Sequence, residues 1–151
     1  MKSLSPTSIL TINQDGVNVV CVYEVWKRPW TVNAERAGNR WERAKNTKHW
    51  REHFKDLAPN LTISNATVEV CLDLKGMLQD TAACMPAVKA AIDGMVDANL
   101  FIDDTGDHVK AISFYAPVRQ KENKITITVK GEIYEHGGAT TISPEFRDGE
   151  L

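Results

Sequence analysis

The chain has 151 residues, of which 42% are hydrophobic and 25% are charged, and its formal net charge is −2 at pH 7. These values are typical of a single globular domain and exclude a fibrous or intrinsically disordered chain. No apolar run approaches the roughly 20 residues that cross a bilayer, and the N-terminus lacks the apolar stretch of a secretory signal. We therefore expect no membrane partner and a cytoplasmic location.

The first predicted element is a β-hairpin over residues 8–24. The segments ILTI and VNVVCVYEV are rich in β-branched residues, and Gln14, Asp15 and Gly16 between them favour a turn. A loop follows at residues 28–33, with the sequence RPWTVN.

Residues 40–57 are predicted to form a helix, because Trp50, Phe54 and Leu57 recur at helical spacing as an apolar stripe. The surrounding segment is basic: residues 27–55 hold nine basic and three acidic side chains, and the rest of the chain is acidic. Such a segment can hold DNA phosphates, and a solvated helix face gives the same pattern. Charge alone leaves both interpretations open.

The second half of the chain alternates strand and helix patterns. Residues 66–74 alternate apolar and polar side chains and predict a strand. A second helix follows, with Pro86 in its first turn and an apolar face formed by Met85, Val88, Ile92 and Met95. Further strands are predicted at residues 108–116 and 124–130, joined by a polar turn.

This order of elements, β-β-α-β-α-β-β, predicts an α+β fold in which a single mixed β-sheet packs with two main helices. We expect one domain over residues 1–133 and an irregular, mobile tail over residues 134–151. The sequence does not decide whether the strands that flank the second helix pair in parallel or are separated by the later strands.

Cysteines and tryptophans give weaker signals. Cys21, Cys71 and Cys84 have no C-x-x-C spacing, and we expect buried, reduced thiols rather than metal ligands. Trp30 and Trp41 lie near the basic segment, where a tryptophan can stack on an unpaired base. Packing in the core is nevertheless the commoner role of this residue.

Acidic residues lie at both ends of the second helix. Asp80 precedes it, Asp103 and Asp104 follow it, and Lys89 lies between them. Carboxylate oxygens are the ligands that Mg²⁺ prefers, and such a site suits metal-assisted cleavage of phosphodiesters. Structural interpretations exist as well: Asp80 can cap a helical turn, the acid pair can belong to a turn, and Lys89 can pair with Asp93.

Residues 89–104, KAAIDGMVDANLFIDD, resemble the RusA family of crossover junction endodeoxyribonucleases in the order and spacing of lysine, helix and Asp-Asp pair. The loop at residues 28–33 is similar to the entry loop of that family, and the first long helix stands at the matching place. The resemblance covers residues 25–129 and implies that residues 1–133 form a RusA-like nuclease domain.

The resemblance implies a hydrolase that nicks four-way (Holliday) DNA junctions as a homodimer, with Mg²⁺ or Mn²⁺, in recombination and repair. Its place of action would be the cytoplasm of a bacterium or of a phage-infected host. The implied catalytic residues are Asp80, Lys89 and Asp104, the implied metal ligands are Asp80, Asp104 and Asp103, and Asp93 would orient Lys89. The expected DNA contacts are Arg28, Asn33, Arg40, Arg43, Arg51 and Lys55.

The chain departs from the family pattern at the upstream acids. The family's D-x-D-N appears as Asp80-Thr81-Ala82-Ala83, so Ala82 stands where a second acid is expected and the metal site would be looser. Two alternatives stay open. One is a catalytically weakened protein of the same fold that only binds branched DNA, and the other is an unrelated α+β interaction module.

Overall fold

A mixed β-sheet packed with helices forms the protein, and the predicted α+β class is confirmed. The computed structural model describes residues 6–136 and 139–140. Its helices are α1 (Val32–Ala37), α2 (Arg40–Leu57) and α3 (Met85–Asp97). Its strands are β1 (Thr7–Ile12), β2 (Asn18–Val25), β3 (Ile63–Leu74), β4 (Val109–Phe114), β5 (Val118–Arg119), β6 (Lys124–Ile133), β7 (Glu135–His136) and β8 (Ala139–Thr140). The short elements α1, β5, β7 and β8 are additions to the predicted order.

The strands of the main sheet lie in the order β1-β2-β6-β3-β4, and β5 pairs with the C-terminal end of β3. β3 is parallel to β4 and antiparallel to β6. The question that the sequence left open is therefore answered, because α3 connects two parallel neighbours. β6 passes to the other side of β3, so it lies between β2 and β3 rather than beside β4.

Side-chain caps define where α1 and α2 begin. The Thr31 hydroxyl accepts a hydrogen bond from the N–H of Ala34 at 3.2 Å, so α1 starts inside the segment that we expected to be a loop. The Asn39 side chain accepts from the N–H of Glu42 at 2.9 Å and starts α2. Such caps satisfy N–H groups that have no partner within the helix. The observed bounds of α2 match the predicted ones.

The predicted apolar stripes form most of the core. In α2, Trp50 and Phe54 are buried and Leu57 packs partly buried against them. In β3, the alternating residues Val68, Val70, Leu72 and Leu74 are all buried. One residue departs from prediction: Met85 is 45% exposed, because it lies in the first turn of α3, at the edge of the buried face.

Two of the three cysteines are buried as predicted. Burial raises the pKa of the Cys21 thiol to about 11 and raises the pKa of Cys84 as well. Cys71 is exposed, so the prediction was wrong there. The reason is strand alternation: Val70 and Leu72 point into the core, and the residue between them points to the opposite face.

The predicted irregular tail is only partly described. Within it, β7 and β8 pair in an antiparallel way, with Glu135 opposite Thr140 and His136 opposite Ala139. The remaining residues beyond 140 lie outside the described part of the chain. Within that described part, no helix combines the length and the apolar character needed to cross a membrane.

Candidate functional site

Lys89 lies on α3 and joins two aspartates. Its Nζ donates hydrogen bonds to Oδ1 of Asp93, at 2.8 Å, and to Oδ2 of Asp104. Asp93 lies one turn further along α3, whereas Asp104 belongs to the loop before β4. The structure thus brings together two of the predicted catalytic residues and the aspartate that was expected to orient the lysine. We call Lys89, Asp93 and Asp104 the lysine–aspartate cluster.

The contact between Lys89 and Asp104 favours the charged form of both groups. The hydrogen bond to Asp104, followed by the one to Asp93, raises the pKa of Lys89. The same contact with Lys89 lowers the pKa of Asp104. The Lys89 side chain is 55% exposed, so a phosphate group in solution can reach it. The Lys89 ammonium group thus lies between the Asp93 and Asp104 side chains.

Burial of the preceding apolar residues fixes the position of Asp104. Leu100 and Phe101 are fully buried, and the Leu100 carbonyl accepts a hydrogen bond from the N–H of Ile63 at 2.7 Å. These contacts hold the loop after α3 against the start of β3. Leu100 and Phe101 therefore anchor the loop, and Asp104 at its acidic end lies in contact with Lys89.

Asp103 shapes the same loop. Its Oδ1 accepts a hydrogen bond from the main-chain N–H of Asp104 at 2.8 Å. Aspartates commonly make such local bonds in turns, as the structural interpretation of the acid pair predicts. Because Asp104 also binds Lys89, the turn and the lysine–aspartate cluster are parts of one arrangement rather than alternatives.

Asp80 begins a turn that leads into α3. Its main-chain carbonyl accepts from the N–H of Ala83 at 3.0 Å, and its exposed side chain makes no hydrogen bond to the described residues. The helix-capping role considered for this carboxylate is therefore absent from the described contacts. Asp80 also makes no described contact with Lys89 or Asp104, and its role as a metal ligand stays a prediction.

Ala82 has an unusual backbone conformation for its residue type. Its φ is +67°, in the left-handed region. The other positive-φ residues apart from glycine, within the described chain, are Asn65 and Asn99. Asn and Asp tolerate this region better than Ala does. The position where the resemblance expects an acid thus has a backbone that suits an Asp or an Asn.

Four hydrogen bonds join the loop at residues 28–33 to the segment before α3. Arg28 donates to the carbonyls of Lys75 and Met77, the latter at 2.6 Å. The Gln79 side chain donates to the Pro29 carbonyl at 2.9 Å, and the N–H of Val32 donates to the carbonyl of Ala83. Arg28, a predicted DNA contact, therefore also has a structural role. Sequence reasoning missed Gln79, which carries no periodic or motif signal.

Arg51 is another predicted DNA contact with an internal partner. Its guanidinium group binds Asp97 of α3 through two hydrogen bonds, of 2.6 and 2.9 Å. The bond to Asp97 raises the pKa of Arg51, and the bond to Arg51 lowers the pKa of Asp97. This pair links α2 to α3, so only part of the charge of Arg51 is left for DNA.

The remaining predicted DNA contacts lie on or near α1 and α2. Arg43 is half-buried and donates to the Gly38 carbonyl at 2.9 Å. Asn33, Arg40 and Lys55 have exposed side chains. The basic surface is thus less uniform than the helical spacing of its residues indicated.

The structure places Trp30 and Trp41 in different environments. Trp30 is partly buried and packs edge-on against the buried Trp50, with ring centroids 5.7 Å apart. Trp41 is 81% exposed. Core packing therefore accounts for most of the contacts of the Trp30 ring, whereas the Trp41 ring is accessible to a binding partner.

The donor types suit a hard divalent cation. The candidate ligands Asp80, Asp103 and Asp104 all offer carboxylate oxygens, and Mg²⁺ often uses one or two carboxylates with water and substrate phosphate. Asp80 and Asp103 each keep a carboxylate oxygen without a hydrogen bond to the described residues. No group of three or more His, Cys, Asp or Glu side chains that could hold a metal occurs within residues 6–136 and 139–140.

Comparison with known proteins adds no family to these observations. No protein-family model matches the chain. No curated protein matches its sequence either.

Proposed function

We propose that the protein is a structure-selective DNA endonuclease that cuts four-way junctions with Mg²⁺, or Mn²⁺, as a homodimer. The observation that carries the proposal is the contact of Lys89 with Asp104, formed across the β3–α3–β4 unit and supported by Asp93. A lysine cation beside a partly exposed carboxylate suits phosphodiester cleavage, because one group can bind the phosphate and the other a metal ion.

Each residue of the lysine–aspartate cluster has a distinct chemical role in this proposal. Lys89 stays protonated and donates hydrogen bonds to a phosphate oxygen as negative charge develops there. Asp93 keeps the Lys89 side chain in place. Asp104, with Asp103 and Asp80, would hold the divalent ion, which supplies charge neutralisation and an activated water.

The basic residues would bind the DNA backbone. Exposed Arg40 and Lys55 offer charges to phosphates, and Asn33 offers an amide at the start of α1. Arg28 would contribute the N–H groups that its main-chain contacts leave over, and Arg43 would add its positive charge. Such contacts give affinity that falls with salt and little recognition of base sequence.

A second candidate function is binding of branched DNA without cleavage. Ala82 favours it, because this residue supplies no carboxylate where the resemblance expects one. In that case Ala82→Asp creates cleavage that the unaltered protein lacks, whereas Ala82→Asn does not. If both variants bind junctions and neither cuts, the missing carboxylate does not explain the lack of activity.

The proposed activity is tested with a labelled four-way junction and purified variants. Asp104→Asn removes the charge but keeps the size of the side chain, and we expect it to slow cleavage by roughly 100-fold. Asp107→Asn is the matched control, because Asp107 is exposed and lies in the same loop. We expect it to cut at the rate of the unaltered protein.

Measured rates separate the interpretations. Equal cleavage by Asp104→Asn and Asp107→Asn would show that Asp104 has no part in catalysis. Equal loss in both variants would point to a general effect of loop charge. Junction binding by each variant, measured in EDTA, shows whether a lost rate reflects lost DNA affinity.

A further inference from the structure

A cavity of about 480 Å³ lies between the loop at residues 28–33 and α2. Its volume is within the range of about 300–1,000 Å³ that is typical of small-molecule sites. Residues from separate parts of the chain line it, among them Lys27, Arg28, Trp30, His49, Trp50 and Gln79. No residue described above as part of the lysine–aspartate cluster lines this cavity.

Three lining residues carry buried polar atoms that have no hydrogen-bond partner. They are Nε1 of Trp30, Nε1 of Trp50 and Oε1 of Gln79. The only other such side-chain atom in the described residues is the hydroxyl of Tyr23, which does not line the cavity. A buried polar group without a partner destabilises the folded protein, because it has lost its hydrogen bonds to water. Three of the four such atoms in the described residues thus belong to side chains that line one cavity.

The unpaired groups are held in place by their neighbours. Trp50 is only 3% exposed, and its ring meets that of Trp30 edge-on at 84°. The Gln79 amide nitrogen donates to the Pro29 carbonyl, which sets the orientation of the free amide oxygen. These three groups lie in the wall of the cavity and are buried from solvent, so a ligand would bond to them only after a shift of the Trp30, Trp50 or Gln79 side chain.

The charge at the cavity has one sign. Lys27 and Arg28 line it together with His49, and no acidic residue is among the described lining residues. A bound molecule with a negative group would be favoured at this edge. Aromatic walls, a donor and acceptor set and a cationic edge together match a base with an attached phosphate.

We propose that this cavity binds a nucleotide, with its base against the Trp30 and Trp50 indoles and its phosphate near Lys27 and Arg28. A shift of the Trp30 or Gln79 side chain would bring an N–H donor or the amide oxygen to the edge of the base. Gln79 directly precedes Asp80, so the bound nucleotide lies next to the turn that enters α3. Binding of a nucleotide does not depend on the proposed nuclease function. Only the further statement that this nucleotide is an unpaired base of a DNA strand rests on that function.

Binding assays in EDTA test the proposal without any cleavage. One probe is a labelled DNA hairpin with a single extrahelical adenine, compared by anisotropy with the same hairpin that carries an abasic site there. The other probe is deoxyadenosine monophosphate, measured by calorimetry against inorganic phosphate. We expect the extrahelical adenine to improve DNA binding at least ten-fold, and the mononucleotide to bind more tightly than phosphate.

Variants locate the effect. Gln79→Leu removes the acceptor and Trp30→Phe removes one donor, and each should reduce the preference for the extrahelical adenine at least five-fold. Gln120→Leu is the control matched to Gln79→Leu, since Gln120 is exposed and does not line the cavity, and it should leave the preference unchanged. Gln79 lies in a surface segment, so Gln79→Leu should fold and can test the site even if Trp30→Phe does not fold.

The outcomes separate the two sources of the ligand. If the mononucleotide binds, Gln79→Leu weakens that binding, and the protein shows no preference for the extrahelical adenine, the cavity is a site for free nucleotides. Equal affinity for phosphate and mononucleotide, or no binding of either probe, would overturn the proposal. If the protein cuts junctions but prefers neither the extrahelical adenine over the abasic site nor the mononucleotide over phosphate, the nucleotide site is wrong and the nuclease function is still supported.

Discussion

The backbone conformation at Ala82 is unfavourable for an alanine. Its φ of +67° is a conformation that costs an alanine roughly 1 kcal/mol, and the comparable positions in the described chain are Asn65 and Asn99. The turn that positions Asp80 and leads into α3 therefore contains a strained residue at its centre. The strain lies where the sequence also lacks the acid that the family resemblance expects.

We expect Ala82→Asn to stabilise the protein by about 0.5–1 kcal/mol, because Asn adopts left-handed φ at lower cost. Thermal or urea unfolding measures the change. Ala116→Asn is the control, since Ala116 is also exposed but has no positive φ. A loss of stability in Ala82→Asn larger than in the control would contradict the assigned conformation.

Single residues also mark the limit of prediction from sequence. Lys89 and Asp104 were identified from the acids around the second helix and from the family resemblance, and Asp93 from its i,i+4 spacing to Lys89. The structure joins all three. Arg51 was assigned to DNA because its helical spacing matches that of other basic residues, but its partner Asp97 lies 46 positions away. A pattern within one helix carries no information about a charge on another helix.

Among the elements, the close approach of α2 and α3 depends on Gly94. A Cβ built at this residue would lie 2.2 Å from the carbonyl oxygen of Arg51, which is main chain and cannot move away alone. The Arg51–Asp97 pair spans the same two helices. The helices that carry the basic surface and Lys89 are therefore held together at a position without a side chain.

Gly94→Ala should destabilise the protein by about 2–3 kcal/mol, the scale of overpacking in a core. Gly106→Ala is the matched control, because a Cβ there meets no atom within 4 Å, and we expect a change below about 0.5 kcal/mol. Urea denaturation followed by tryptophan fluorescence measures both. Equal stability of the two variants would show that the helices do not pack at Gly94.

The elements differ in how far the sequence predicted them. The long helix α2 and the strand β3 were predicted well because their apolar periodicity is strong. The helix α1 was missed because it has six residues and depends on one cap at Thr31. The central place of β6 was not predicted either, since strand pairing is set by contacts between distant residues.

At the scale of the whole molecule, the basic surface predicts how DNA binding responds to salt. Each phosphate contact that is lost should make the slope of log affinity against log salt shallower by about 0.9. Exposed Arg40 should contribute one such contact, so Arg40→Ala should show this change in a junction-binding titration.

Arg51→Ala should change the slope by less than Arg40→Ala, because Asp97 already neutralises part of the Arg51 charge. Asp97→Asn provides the converse case and should strengthen binding, since it releases the guanidinium group. An effect of Arg51→Ala as large as that of Arg40→Ala would mean that the Arg51–Asp97 pair opens when DNA binds.

The central claim is that the whole protein, as a homodimer, cuts four-way junctions at the site that contains Lys89 and Asp104. The most direct measurement is incubation of the unaltered protein with an end-labelled junction in Mg²⁺, in Mn²⁺ and in EDTA. We predict paired nicks at symmetric positions on two opposing strands with either ion, and intact DNA in EDTA. A junction that stays intact with both ions under protein excess would contradict the claim.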